Sequence, residues 1–68
     1  MLRVSGETEW KRLEQLTRQR SLSGDEIDEF DRLYRSTTTD LARVRTLNPD
    51  SDVIAELSRI LSAARGRL

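Results

Sequence analysis

Four residues punctuate this 68-residue chain for any helical reading: Gly6, Gly24, Pro49 and Gly66. Between them lie three stretches free of helix breakers, and in each the apolar side chains recur every three or four positions, the spacing of one face of an α-helix. Three helices are the natural reading, and nothing in the sequence supports a strand. The first stretch predicts a helix over about 7–19, with Trp10, Leu13, Leu16 and Thr17 on one stripe and Ser5 or Gly6 available as its cap.

The second helix has the best-marked start. Ser23-Gly24-Asp25-Glu26 is a capping box, in which the Ser23 hydroxyl accepts from the Glu26 amide and the Glu26 carboxylate accepts from the Ser23 amide. Leu22 ahead of the cap and Ile27 inside it then form a hydrophobic staple. Asp25, Glu26 and Asp28 also suit the positive end of the helix dipole. From there Ile27, Phe30, Tyr34, Thr37, Leu41 and Val44 alternate steps of three and four up to Pro49, which predicts a helix over 24–47. Its length is about 35 Å at ~1.5 Å per residue. The run Thr37-Thr38-Thr39 is its weak point, because β-branched side chains lose rotamer freedom in a helix and Thr hydroxyls bond back to carbonyls.

Asn48-Pro49-Asp50-Ser51-Asp52 stops that helix and starts the next, with Asn48, Asp50 or Ser51 as cap. A third helix over about 51–65 carries Val53, Ile54, Leu57, Ile60, Leu61 and Ala64 on one face, with Gly66 as its stop. Short turns between amphipathic helices predict a single all-α domain over 1–68, a small antiparallel three-helix bundle of up-down-up order with a long central helix, or a long hairpin with a shorter third helix packed on it. Its core is thin, since a domain of about 60 residues buries only about 60% of its unfolded surface. Leu13, Phe30, Leu41, Leu57 and Leu61 are expected inside it, so that Leu41→Asp should unfold the domain.

Composition then limits the chemistry. With no His and no Cys there is no Cys/His zinc site, no His-assisted nucleophile, no disulfide and no redox thiol. The densest group of acids, Asp25, Glu26, Asp28, Glu29 and Asp31, sits on a helix and lacks the alternate-position oxygens and turn glycine of a calcium loop. It reads as helix capping and exposed pairs: Asp28 with Arg32 and Asp31 with Arg35, like Glu7 with Lys11 and Glu14 with Arg18, stand acid before base four apart. No catalytic constellation, cofactor site or metal site is predicted, and the chain is read as non-enzymatic.

Twelve basic and twelve acidic residues cancel, which disfavours a nucleic-acid partner. The charge is uneven all the same, +2 over 1–20, −3 over 21–35, −1 over 36–52 and +2 over 53–68. The longest apolar run is Val53-Ile54-Ala55, far short of the ~20 residues of a spanning helix, and Met1-Leu2-Arg3-Val4 has no signal-peptide stretch behind it. The expectation is a soluble chain of cytoplasmic character. Trp10 and Tyr34 are the candidate partner contacts, Trp10 because Trp is enriched at binding hot spots; the register of both with their helical stripes equally places them in the bundle core. Thr37 and Thr38 read as a polar interruption of a core seam rather than as modification sites, and Arg43 and Arg45 face different sides of helix 2 and make no phosphate clamp.

Glu9-Trp10-x-x-Leu13-Glu14-x-Leu16, then Leu22-Ser23-x-x-Glu26, Leu33-Tyr34-Arg35, Asp40-Leu41-Ala42, Arg45 and Pro49 resemble, in order and spacing, the amino-terminal segment of proteins similar to stage II sporulation protein M. The resemblance runs from Glu9 to about Arg65; Leu57-Ser58 departs from the Leu-Asn pair of many members. It implies a multi-spanning membrane protein with a helical amino-terminal region in the cytoplasm, ahead of membrane helices that would follow Leu68. In endospore formers the namesake belongs to a membrane complex that supports peptidoglycan remodelling. Arg59, Arg65 and Arg67 against the single acid Glu56 agree with a cytoplasmic flank of a span, and they equally complement the helix dipole. The expected role is a cytosolic docking domain with protein partners. The competing class is a free-standing helical adaptor or coiled-coil homodimer, and self-association is expected in either case, because a thin core leaves an apolar strip to cover.

Overall fold

A computed structural model describes residues 5–67, with side chains from Thr8 onward. These residues fold into three α-helices, α1 (Ser5–Arg18), α2 (Gly24–Leu47) and α3 (Asp52–Arg67), with no strand among them. Every pair of helices is in contact. The longest extent of the molecule is 35 Å, the length that α2 alone requires.

The order of interhelical contacts gives the topology. Along α1, Glu9 meets Ser36 and Arg12 meets Glu29, and just past its end Gln19 meets Glu26, so α2 runs opposite to α1. Glu14 meets Arg59 and Thr17 meets Arg67, so α3 runs with α1. The bundle is therefore up-down-up, as the short connections predict.

Local chemistry fixes the ends of the helices. Ser23 is the N-cap of α2: Glu26 N donates to its Oγ at 3.2 Å, while Ser23 N donates to Glu26 Oε1 at 3.0 Å, which closes the capping box. Ser51 caps α3 by accepting from Val53 N at 3.1 Å. Between them, Asn48 N donates to Val44 O and Ser51 N to Asn48 O, which ties the turn at Pro49 to the end of α2. Two expected ends differ. α1 already includes Ser5 and Gly6, and the Ser5 side chain, like the Glu7 of the Glu7–Lys11 pair, lies outside the described side chains. α3 passes through Gly66 to Arg67, because Gly66 keeps a negative φ and does not make the left-handed turn of a glycine stop.

Leu13 and Leu16 of α1, Phe30 and Leu33 of α2, and Ile60, Leu61 and Ala64 of α3 form the core, with Trp10, Leu22, Tyr34 and Leu41 packed on its edge. Leu57 is also fully buried. Three corrections concern α2. Leu33, absent from the predicted stripe, is buried, because α2 touches two helices and buries a face wider than one stripe. Ile27 is 54% exposed and shares a cleft with Arg67, the last described residue of α3. The sequence signature of a staple between Leu22 and Ile27 thus leaves Ile27 largely in solvent. Leu41 is half-buried, not central.

Candidate interaction surfaces

The seam between α1 and α2 is closed by polar side chains along the edge of the apolar core. Trp10 Nε1 donates to Asp40 Oδ2 at 2.9 Å, and Ser36 Oγ donates to Glu9 Oε1 at 3.1 Å. Lower on the seam, Arg12 grips Glu29 with a fork, Nε to Oε2 at 2.8 Å and Nη2 to Oε1 at 2.9 Å, the bidentate arrangement that gives an Arg–carboxylate pair its geometric specificity. That guanidinium holds the Glu29 carboxyl below its ordinary range, and the hydrogen bond to Glu29 raises Arg12 in turn. Glu26 is lowered chiefly by the Ser23 amide and next by the hydrogen bond from Gln19. On the α1–α3 side, Glu14 accepts from Arg59 at 3.0 Å and from Arg18 at 3.2 Å.

The acidic group of α2 is thereby dispersed among separate tasks. Glu26 caps, Glu29 holds Arg12, and Asp31 pairs with Arg35 at 3.3 Å. The anticipated Asp28–Arg32 pair does not form among the described residues, nor do three or more acids there gather as a metal would need.

The two candidate contact residues are not brought together. Trp10 is half-buried in the α1–α2 seam with its N–H taken by Asp40. Tyr34 lines the other side of α2, in a groove of about 330 Å³ between α2 and α3. That groove also holds Thr38, Leu41 and Arg45 of α2, facing Leu61 and Arg65 of α3. The α2 members stand at steps of four, three and four, beside the core stripe and on the face away from α1. Reading one stripe per helix set Tyr34 and Leu41 with the core and missed Thr38 and Arg45; the signal was present as a second periodic set that includes Ile27 and Asp31.

Among the described residues, one buried polar side chain is unmatched. Thr37 is fully buried and its Oγ1 has no hydrogen-bond partner, whereas Thr38, Thr39 and Thr46 each donate to the carbonyl four residues back.

Residues 5–68 match a family described as a domain of unknown function, DUF8413. The chain belongs to that family. No curated protein and no solved structure is significantly similar to it. In this DUF8413 domain the described helices hold no span long and apolar enough to cross a membrane.

Proposed function

We propose that this DUF8413 domain is a non-enzymatic docking domain on the cytoplasmic face of a bacterial membrane protein similar to stage II sporulation protein M. The observation that carries the reading is where the residues of the resemblance go. Trp10 and Asp40 bond across α1 and α2, Leu13, Leu16 and Leu33 are core, and Ser23 with Glu26 caps α2. The ordered series Glu9 to Pro49 therefore describes a scaffold, and a scaffold without converging reactive groups suits binding rather than catalysis. The basic excess of α3, Arg59, Arg65 and Arg67 against Glu56, fits the cytoplasmic side of a span that would begin after Leu68. The neutral charge supports protein partners rather than nucleic acid.

The free-standing adaptor or homodimer is the second reading, and the groove between α2 and α3 favours it specifically, because that groove belongs to the described helices alone. Fractionating cells that carry the whole gene product separates the two. The docking reading expects this domain in the membrane pellet, resistant to a salt wash; recovery in the soluble fraction contradicts it and leaves the adaptor.

A further inference from the structure

The face of α2 turned away from α1 carries a continuous stripe: Ile27, Asp31, Tyr34, Thr38, Leu41 and Arg45, at steps of four and three. Ile27 is 54% exposed, Tyr34 and Leu41 are half-buried, and Asp31, Thr38 and Arg45 are exposed. From Tyr34 to Arg45 this stripe forms one wall of the groove whose other wall is α3. The α3 wall adds the small hydroxyl residues Ser58 and Ser62, on either side of Leu61, so a further helix can approach closely. No carboxylate among the described residues lines the groove, while Arg45 and Arg65 stand toward its two ends. The unmatched charge calls for an acidic helix with apolar residues at the same spacing.

The chain itself contains such a helix, in the first half of α2. We propose that the groove between α2 and α3 binds the α2 helix of a second copy of this chain, antiparallel to its own, about a two-fold axis beside Thr38. Asp31 lies seven residues before Thr38 and Arg45 seven residues after it, each about 10 Å along the helix. An antiparallel pairing centred there sets Asp31 of one copy level with Arg45 of the other, twice. Tyr34 and Leu41, four before and three after the centre, interleave across the axis. Each Asp31 then lies toward Arg45 from the other copy, in addition to its pairing with Arg35. The stripe is self-complementary in charge, as a two-fold interface requires.

This inference uses the reading of the domain as an interaction module and is independent of membrane attachment. Sedimentation equilibrium of the 68-residue chain up to millimolar concentration tests it, with Asp31→Arg, Arg45→Asp and the double variant alongside. Both positions are exposed, so circular dichroism should show the fold retained in every variant. The wild type is expected to dimerise. Each single reversal, which sets like charges together at two places, should weaken the dimer about tenfold. The double variant should regain most of the wild-type affinity. A wild type that stays monomeric overturns the proposal and leaves the docking reading standing with a different partner. A dimer that neither reversal weakens, or that the double variant fails to restore, overturns it as well, because the copies then meet on another face.

Discussion

Trp10 Nε1 and Asp40 Oδ2, thirty residues apart in the chain, meet at 2.9 Å and fasten α1 to α2. The ring packs on the core edge while its N–H is satisfied by a carboxylate, which is how a half-buried indole keeps both its apolar and its polar requirements. Asp40→Ala removes a charge-assisted acceptor and should cost about 1–2 kcal/mol in urea unfolding. Asp40→Asn retains an acceptor oxygen and should cost less. Equal stability of Asp40→Ala and wild type would show that the bond contributes nothing.

Thr37 supplies the opposite case. Its hydroxyl is buried without a partner, so the molecule bears the desolvation of that group with no hydrogen bond in return. Thr37→Val keeps the shape and removes the hydroxyl, and should stabilise the domain by about 1 kcal/mol, a rise in melting temperature of about 4–8 °C for a chain of this size. A lower melting temperature would mean that the hydroxyl is satisfied in solution.

Core position sets the scale of the remaining substitutions. Leu13 and Leu57 are fully buried, and truncating either to Ala should cost about 2–5 kcal/mol, enough to unfold much of a domain of this length. Leu41, expected from its stripe to be equally critical, is half-buried at the groove. Leu41→Asp can turn its carboxylate to water, so it should leave a folded, weakened domain where Leu57→Asp leaves none. Far-ultraviolet circular dichroism of the two variants distinguishes these outcomes.

Acid should loosen the capping box and the Arg12–Glu29 clamp. Glu26 and Glu29 titrate below their ordinary values in the folded chain, so both bind protons more readily when unfolded. Their contribution is complete above the unfolded carboxylate range and is lost as pH falls from about 4.3 through the lower folded values. Melting temperature should drop over that interval, and Glu29→Gln, whose side chain does not titrate, should flatten the drop. An unchanged pH profile in Glu29→Gln would remove the clamp from the account.

What the sequence made legible was whatever depends on neighbours in the chain. The α2 start follows from Ser23 and Glu26 three apart, and its end from Pro49, and both stand where that local chemistry puts them. The pairs Glu14–Arg18 and Asp31–Arg35 follow from spacing of the same kind. Contacts between helices were not legible, because the rotation of each helix about its axis is decided by packing. Asp40 bonding to Trp10, Glu29 to Arg12 and Glu14 to Arg59 each depend on that rotation. Leu33 and Ile27 illustrate the same limit: one stripe cannot represent a helix that serves two neighbours, and periodicity alone does not tell where the neighbour ends. The groove that joins Tyr34 to Thr38 and Arg45 lay hidden for that reason too, although Tyr34 itself stood out.

The proposed function places this domain on the inner face of a membrane as part of a larger protein. A reporter fused ahead of Met1 in the whole gene product, of a kind active on only one side of the membrane, tests it most directly. The account predicts activity of the cytoplasmic form and silence of the exported form, in keeping with the retention of Arg-rich flanks inside the cell. Activity of the exported form alone would contradict it.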